Sequence, residues 1–323
     1  MRKILNLLVT LLFLGALGCH PNAVTSDGRL VSDAKPLRFM FIAPCKDEAF
    51  FDPVKKGMRD AGELMKADCT FTGTEEVNLE QQIALVCQAM REGYDGIALD
   101  IIDPEAFDDV VQEAIDKGIP VVAFNVDDHA TPNARLSAVC QNLYQAGRQL
   151  GQRAAEAIPA GATVLATMHS ENISALEDRL AGMKESLAAK NVTWKAAITG
   201  MEPEHAANLI ADELRKDPSI AAVLCTGQAD TEGAGLAQQT LPPGRNVYVA
   251  GFDLSEKILT MLQTEDIQFT IDQQPYVQGF HPVVQLALYC RYGIRPCSMD
   301  AGAMVVTKEQ AAVVMERKKK NYR

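Results

Sequence analysis

Two patterns of apolar residues alternate along the chain: continuous runs, which are typical of buried strands, and apolar positions at helical spacing. The run LRFMFIA at 37–43 is typical of a parallel strand buried on both faces. Similar runs recur, separated by stretches whose apolar positions follow helical spacing. They predict strands at 37–43, 69–74, 119–125, 136–140, 162–168, 193–199, 221–226, 246–252 and 267–272, and a strand with its following turn at 93–103. Strands that alternate with helices predict βαβ units, and therefore an α/β fold with parallel sheets.

Helices fill the intervals between these strands. They are predicted at 53–66, 78–92, from Pro104, at 143–158, 174–189, 204–216, 230–240, 254–264 and from Pro275. Proline suits the first position of a helix because its missing N–H has no partner there in any case.

The second half of the chain repeats the first. In the first half, one apolar strand ends at Asp100 and the IPVVAF strand ends at Asn125. In the second half, the matching strands end at Thr226 and Asp253. Ligands of open α/β sheets bind at the carboxyl ends of the strands. The repeat therefore predicts two lobes that face each other across a cleft.

The stretch IQFTIDQQPYVQG at 267–279 changes character midway. Its first residues alternate as in a half-buried strand, and Asp272, Gln273 and Gln274 are too polar to continue it. Pro275 then starts a helix. Three hydrogen-bonding side chains at such a junction favour a ligand contact. A polar turn with no ligand is the alternative.

The N-terminus has the pattern of an export signal. Arg2 and Lys3 precede a mostly apolar run at 5–17, which is too short for a comfortable membrane span. Small residues then lead to Cys19, which predicts a lipoprotein signal peptide at 1–18, with cleavage before Cys19 and lipidation of its thiol. Residues 19–36 are polar and predict a flexible tether. A simple secretory signal cut elsewhere is the alternative.

Charge argues against a nucleic-acid partner. The formal net charge is −11, whereas affinity for phosphates comes from lysine and arginine. The one basic cluster, at 317–320, is interpreted as the solvated last turn of a helix, with cations at the negative end of the dipole. We therefore expect no nucleic-acid binding.

Cysteine and histidine spacing indicates no metal site or cofactor. Without Cys19, seven cysteines remain, none in C-x-x-C spacing and none completing a zinc pattern with the five histidines. Cys69, Cys87 and Cys225 are predicted to be small core residues, and Cys290 and Cys297 are close enough in sequence to pair. The sequence also contains no G-x-S-x-G, H-E-x-x-H or Walker motif. We therefore expect no enzyme, although a carboxylate pair in a cleft would be compatible with glycoside hydrolysis.

The order of several short motifs resembles one family. These are FF after the first strand, GYDGIALDIIDP, GIPVVAFNVD, NLYQAGRQLG, LEDRLAGM, CTGQADTEGAG, VAGFD and FTIDQQPYVQG. They are similar to periplasmic sugar-binding proteins of the ribose-binding type, over nearly all of 37–308. Lactose-repressor-type regulators share that fold, but they begin with a DNA-binding helix-turn-helix, and an export signal occupies that place here.

The resemblance implies two Rossmann-like lobes joined by a three-strand hinge. It implies an N-terminal lobe of 37–139 plus 274–300 and a C-terminal lobe of 140–273 plus 301–323. The crossovers are expected near 139–142, 272–274 and 301–302, which would place Cys140 and Asp272 at the hinge.

Candidate binding residues come from the strand ends and from the resemblance. Carboxylates and amides grip sugar hydroxyls, and aromatic rings stack on the apolar face of the sugar. The candidates are Asp47, Glu48, Phe50, Phe51, Asp100, Asn125, Asp127, His169, Glu177, Gln228, Asp253 and Gln273. Either phenylalanine has a core role as its alternative, and turn polarity is the alternative for His169 and Gln228. Arg179 matches a family arginine whose expected role is structural.

Two arginines that relatives often present to the sugar are absent. Asn125 and Val126 stand where the family often has Asp-Arg, and Glu177 stands where relatives often have arginine. Six candidate carboxylates would repel one another around a neutral sugar. This favours a ligand with donor-rich or cationic groups, such as an amino sugar or inosamine.

Together these features predict the solute-binding component of a sugar-type ABC importer. It would be exported to the periplasm or cell surface, held at the membrane by a lipid on Cys19, and act as a monomer that delivers a sugar, polyol or amino-polyol to a permease. The alternative is a lipoprotein that presents its bound solute to a membrane receptor as a sensor.

Overall fold

The computed structural model describes residues 35–103, 105–127 and 133–323. The predicted signal peptide, Cys19 and all but the last two residues of the predicted tether lie outside these ranges. Within them, no helix has both the length and the apolar character needed to cross a membrane.

The described part of the chain forms twelve strands and ten α-helices. The strands are β1 (Leu37–Ala43), β2 (Ala67–Gly73), β3 (Gly96–Leu99), β4 (Val121–Asn125), β5 (Ser137–Cys140), β6 (Thr163–Met168), β7 (Thr193–Ile198), β8 (Ile220–Cys225), β9 (Tyr248–Phe252), β10 (Phe269–Asp272), β11 (Met299–Asp300) and β12 (Met304–Val306). The helices are α1 (Asp52–Met65), α2 (Leu79–Arg91), α3 (Asp108–Asp116), α4 (Leu143–Ala154), α5 (Ser174–Leu187), α6 (Pro203–Lys216), α7 (Gln228–Gln239), α8 (Glu256–Gln263), α9 (Pro275–Tyr292) and α10 (Lys308–Lys318).

These strands build two sheets of six, one in each lobe. The first has the order β11-β5-β4-β3-β1-β2 and the second β12-β10-β9-β8-β6-β7. Every pairing is parallel except that between β10 and β12. The predicted α/β fold with two lobes and largely parallel sheets is confirmed.

Aromatic side chains fill both cores. Phe39, Phe41 and Phe124 are fully buried in the first lobe, and Phe252 and Phe269 in the second. Each such side chain contributes roughly 1.5–3 kcal/mol relative to an exposed position. Because parallel strands carry helices on both faces, the run at 37–43 is buried from Phe39 to Ala43.

One pair of helices in each lobe packs in direct backbone contact. In the first lobe, a Cβ at Gly279 of α9 would lie 2.0 Å from the Val54 carbonyl oxygen of α1. In the second lobe, a Cβ at Gly147 of α4 would lie 2.0 Å from the Arg179 carbonyl oxygen of α5. Only glycine permits this approach, so these two residues set the distance between the helices.

The chain passes between the sheets at three neighbouring places. It leaves β5 for α4, which packs in the second lobe, and leaves β10 for α9, which packs on the first sheet. It passes again between β11 and β12. The Gln274 amide donates to the Ala301 carbonyl at 2.7 Å, and the Gln141 amide donates to the Gly302 carbonyl at 3.0 Å. Side chains therefore tie the three passages together.

Some element boundaries differ from the sequence prediction. The helix predicted to start at Pro104 begins at Asp108 instead, since the Asp103 carboxylate accepts from the N–H groups of Glu105 and Ala106 and holds a separate turn. The strands β11 and β12 were not predicted, because two or three residues show no periodicity.

Candidate functional site

Polar residues at the ends of equivalent strands occupy equivalent positions in the two lobes. Asn125 ends β4 and Asp253 follows β9, and both are in the left-handed region, with φ of 62° and 71°. Asparagine and aspartate tolerate this conformation better than other non-glycine residues. Such backbone strain, of order 1–3 kcal/mol, is concentrated at binding and catalytic sites. The internal repeat therefore extends to the backbone of two candidate residues.

In the first lobe, Asp100 and Asn125 are joined by a hydrogen bond. The Asn125 amide donates to Asp100 Oδ2 at 2.8 Å, and the Val126 N–H donates to Oδ1 at 3.2 Å. Asp100 is fully buried, and burial raises its pKa to about 8 although these hydrogen bonds lower it. The chain itself supplies donors to this carboxyl group, which is mostly protonated at neutral pH.

Asp127, the next candidate of the first lobe, is paired with a cation of the chain. The Arg135 guanidinium donates to Asp127 Oδ2 at 2.7 Å and contacts Oδ1 through Nε. Asp127 is 7% exposed. The positive charge of Arg135 therefore largely balances the negative charge of Asp127. This weakens the argument that six candidate carboxylates repel one another. Arg135 was not among the predicted residues.

In the second lobe, Asp253 contacts the hinge stretch and a buried arginine. The Gln273 amide donates to Asp253 Oδ1 at 2.6 Å, and Arg179 Nη1 lies 3.9 Å from Oδ2. Arg179 also donates to the Thr226 carbonyl and to Gln141 Oε1, both at 2.8 Å. Burial lowers the pKa of Arg179, and Asp253 opposes that shift. Arg179 thus links α5, β8 and the first passage between the sheets.

His169 and Gln228 lie beside this group. Burial lowers the pKa of His169, while the Asp253 charge raises it and the Arg179 charge lowers it. The His169 ring also lies next to Gly227, where an added Cβ would be 2.8 Å from Cδ2. The neutral imidazole that results is able to donate and accept hydrogen bonds.

A small interlobe cavity collects residues from both lobes and from the passage between β10 and α9. Its lining consists of Phe50, Pro53, Gln228, Asp253, Leu254, Asp272, Pro275, Lys318 and Arg323. Its free volume of about 10 Å³ has room for roughly one water molecule. The structure therefore brings together Phe50, Gln228, Asp253 and Asp272, with Gln273 attached through Asp253.

The two adjacent phenylalanines have different surroundings. Phe51 is buried, with its ring centroid 5.6 Å from that of Phe71 and 6.4 Å from that of Phe124. Phe50 is half-buried and lines the interlobe cavity. Phe50 is thus available for stacking, whereas Phe51 packs in the core as its alternative role required.

Five of the six candidate carboxylates lie outside the cavity, since only Asp253 lines it. Asp100 and Asp127 are buried in the first lobe. The other three are exposed: Asp47, Glu48 and Glu177. The charges of Glu48 and Asp100 do act on Cys45: burial is the largest cause of its raised pKa, followed by these two carboxylates. Glu48 therefore lies in the same part of the first lobe as Asp100.

The hinge candidates Cys140 and Asp272 end β5 and β10, where the chain leaves each sheet. Both are buried, and burial raises the pKa of the Cys140 thiol. Burial also raises the pKa of Asp272 to about 6, although Arg323 lowers it. A carboxyl group with this environment sits between the two lobes.

Two basic residues line the cavity, Lys318 and Arg323, and neither was predicted from the sequence. The basic cluster at 317–320 was interpreted as solvated, which is wrong for Lys318: it is half-buried and lines the cavity. Burial lowers its pKa, opposed by the charges of Asp52, Asp272 and Asp253. A run of charged residues contains no apolar position that would mark the buried side of the helix. The packing of α10 was therefore needed to show that Lys318 points inwards.

The seven cysteines of the described residues are all thiols. Cys225 is buried as predicted, whereas Cys69 and Cys87 are half-buried. Cys290 is buried and donates to the Asp95 carbonyl, while Cys297 is exposed. The described residues contain no group of three or more histidine, cysteine or acidic side chains arranged to hold a metal ion.

Known proteins resemble this chain over most of its length. A family model described as the periplasmic binding protein domain matches residues 39–293. The xylose/arabinose-binding protein XylF of Sulfolobus acidocaldarius is 28% identical, over 84% of this chain and 71% of its own. The D-apiose import binding protein of Paraburkholderia graminis is 24% identical, over 84% of this chain and 87% of its own.

Solved structures share the fold. A carbohydrate transporter protein of Acidothermus cellulolyticus, solved in complex with myo-inositol, superposes with a TM-score of 0.79 at 26% identity. The match covers 90% of this chain and 100% of that one. The glucose-galactose binding protein GanP of Geobacillus stearothermophilus superposes with a TM-score of 0.78 at 23% identity, over 85% of this chain and 99% of its own.

Proposed function

This chain belongs to the periplasmic binding protein family, and from that premise we propose that it is the solute-binding component of a sugar-type ABC importer. It closes its two lobes by hinge motion around a small polyhydroxylated solute. The observation that carries the proposal is the interlobe cavity, where Phe50 of one lobe meets Gln228 and Asp253 of the other beside hinge residue Asp272.

Chemistry at this cavity suits a polyol. The Asp253 carboxylate accepts hydrogen bonds from hydroxyl groups, the Gln228 amide both donates and accepts, and the Phe50 ring offers an apolar face. The relatives that are named for xylose, arabinose and apiose, and the relative solved with myo-inositol, support this class of ligand.

Basic side chains near the cleft carboxylates broaden the range of solutes that the cleft could bind. Arg135 pairs with Asp127, and Arg179 and Lys318 lie near Asp253, so the cleft is less acidic than the carboxylate count implied. A neutral sugar or polyol is therefore as acceptable as an amino-polyol. A sugar acid remains disfavoured, because Asp253 would repel its carboxylate.

The division into lobes and the route to the importer are part of the same proposal. One lobe comprises 37–139 and 274–300, and the other 140–273 and 301–323, with Cys140 and Asp272 at the hinge. The family acts outside the cytoplasm, and its members are binding proteins of transporters rather than enzymes. We extend this to a monomer held at the membrane by a lipid on Cys19, with no catalytic activity and no cofactor.

Calorimetry on the mature protein tests the function. D-xylose, L-arabinose, D-ribose, myo-inositol, D-glucosamine and D-galacturonate would be titrated in turn. We expect at least one neutral or amino compound to bind and galacturonate not to bind. Asp253→Asn should weaken binding about tenfold or more, since a hydrogen bond to a charged group contributes about 1.5–3 kcal/mol.

The control is Glu256→Gln, which removes a nearby exposed carboxylate at the start of α8. It should bind as the wild type does. Tight binding of galacturonate alone, or equal affinities for Asp253→Asn and the wild type, would refute the proposed site.

A further inference from the structure

Residues 318–323, here called the strap, turn back from the end of α10 towards the hinge. The helix itself is anchored in the second lobe, where Ala311 and Val314 pack in the core. After Lys318 the chain reverses: Asn321 has a φ of 55°, and the Tyr322 N–H donates to the Arg317 carbonyl at 3.0 Å. The strap thus starts from one lobe and faces the other.

Tyr322 of the strap contacts helices of the first lobe. The centroid of the Tyr322 ring lies 5.3 Å from that of Tyr276 in α9. Lys56 Nζ of α1 lies 4.7 Å from the centroid of the Tyr322 ring. Both partners are fixed by Asp60, which accepts from the Tyr276 hydroxyl at 2.8 Å and pairs with Lys56 at 2.9 Å. An aromatic pair stabilises beyond the area that it buries, so the strap has a defined docking place across the cleft.

Arg323 of the strap binds the hinge itself. Its Nη1 donates to Gln274 Oε1 at 2.8 Å and lies 3.2 Å from Asp272 Oδ2. The Asp272 side chain is 2% exposed and that of Arg323 is 16% exposed, so this ion pair is largely shielded from solvent. Asp272 and Gln274 flank the second passage between the lobes, where opening must change the backbone.

Lys318 and Arg323 also take up space in the interlobe cavity. Together with Phe50, Gln228 and Asp253 they line a volume of about 10 Å³, which has room for roughly one water molecule and far too little for a sugar ring. Their positive charges lie near the carboxylates of Asp253 and Asp272. A polyol that uses Asp253 must therefore find this part of the cleft cleared.

We propose that the strap is an internal competitor for the cleft: it holds the lobes together before solute binds, and solute enters only after the strap is released. This inference rests on the proposed function in one respect, namely that the solute binds in the cleft. Because Tyr322 and Arg323 join one lobe to the other and to the hinge, loss of their contacts also frees the lobes to part.

Population-shift arithmetic gives the expected size of the effect. The apparent dissociation constant equals the intrinsic one divided by the fraction of molecules that are competent to bind. If the strap leaves about a tenth of the molecules competent, its loss raises affinity and association rate about tenfold. The gain requires no new contact with the solute.

The test compares Arg323→Ala and Tyr322→Ala with the wild type. Lys320→Ala is the matched control, because Lys320 is exposed, lies in the same segment and its loss changes the net charge by the same amount as that of Arg323. Association rates with D-xylose, L-arabinose and myo-inositol would be measured by stopped-flow fluorescence, using Trp194. Small-angle scattering without sugar would give the radius of gyration, and circular dichroism would verify that each variant is folded.

For Arg323→Ala and Tyr322→Ala we expect about tenfold faster association and a larger radius of gyration without sugar, and no change for Lys320→Ala. Unchanged values in both strap variants would overturn the inference. Faster dissociation with weaker affinity would overturn it as well, because the strap would then support the bound state. If no sugar binds the wild type, the proposed function has failed, and scattering still decides whether the strap holds the lobes together.

Discussion

The Asp100 carboxyl group shows how burial sets the charge of a single residue. Its pKa of about 8 follows from complete burial at the end of β3, although Asn125 and Val126 donate to it. The ordinary pKa of aspartate is about 3.9. The folded protein therefore holds a proton at neutral pH that the unfolded chain releases. Asp100 can thus donate as well as accept a hydrogen bond.

The contribution of Asp100 to stability should consequently fall as pH rises from about 4 to about 8. In this range the folded state binds more protons than the unfolded state, so the free energy of unfolding decreases with pH. Asp100→Asn removes this contribution and should flatten the profile by at least about 1.4 kcal/mol between pH 5 and pH 8, which corresponds to one unit of pKa. Asp230 and Asp272, with pKa values raised by burial to about 7 and about 6, keep part of the slope.

Urea unfolding at the two pH values measures this change. Asp109→Asn, which removes an exposed carboxylate of α3, serves as the control and should retain the wild-type slope. Equal slopes for Asp100→Asn and the wild type would show that Asp100 is ionised in the folded protein.

Three residues of the candidate site were predicted from their position along the chain. Asp100, Asn125 and Asp253 were identified because a polar residue ends an apolar strand, and parallel strands carry ligands at that end. The cations Arg135 and Lys318, which lie near the candidate carboxylates, were not identified. Arg135 lies eight residues after Asp127, and Lys318 lies far from Asp253 in sequence, so no local period connects either pair.

At the scale of elements, the helix pairs α4–α5 and α1–α9 use glycine to bring two backbones together. Gly147 of α4 lies against the Arg179 carbonyl of α5, and Arg179 in turn reaches Thr226 and Gln141. The spacing of two helices therefore positions a buried arginine beside Asp253. Gly147, a packing residue, thus affects the position of Arg179 beside the candidate binding residue Asp253.

Gly147→Ala should be destabilising despite the higher helix propensity of alanine. The new Cβ would lie 2.0 Å from the Arg179 carbonyl oxygen, and overpacking of this kind costs about 1–3 kcal/mol. The shift of Arg179 should also weaken binding of any sugar found by calorimetry. Thermal unfolding and the same titration measure both effects.

The matched variant is Gly62→Ala in α1, where the nearest atom to the new Cβ is the Ala67 carbonyl oxygen at 3.0 Å. It should lose much less stability and bind sugar normally. A Gly147→Ala protein as stable as the wild type would contradict the assigned role of this contact.

Element prediction succeeded where the period was long enough to be seen. The ten predicted strands all exist, with ends displaced by a few residues, because apolar runs and turn residues mark them directly. The two- and three-residue strands β11 and β12 were missed. They form because neighbouring strands supply the hydrogen-bond partners, which is a tertiary effect.

At the scale of the whole molecule, two similar lobes are joined by three passages of the chain. Gln274 and Gln141 tie these passages to one another, and Arg323 binds beside them. Because few residues connect the lobes, the proposed hinge would allow them to move as bodies while each core stays packed. Such motion fits a protein that encloses its solute.

The proposed lipid anchor concerns the entire protein and its location. We expect Cys19→Ala to move the protein from the membrane fraction to the soluble exported fraction, because the acylated thiol is the only anchor proposed. Fractionation and mass spectrometry of the mature N-terminus measure this. Cys297→Ala, which removes an exposed thiol in the described chain, is the control and should remain with the membrane. A Cys19→Ala protein that stays in the membrane fraction after loss of its signal peptide would refute the anchor.

The order of apolar and polar residues was sufficient for the fold class, the internal repeat and the strand ends that carry Asp100, Asn125 and Asp253. Local periodicity predicts the strands, and the geometry of parallel sheets then places their carboxyl ends at the same edge. Folding in three dimensions was needed to pair Asp127 with Arg135, to bury Phe51 rather than Phe50, and to turn Lys318 and Arg323 into the cleft. Those outcomes depend on which residues meet from distant parts of the chain, and on how burial changes the free energy of a charge once they meet.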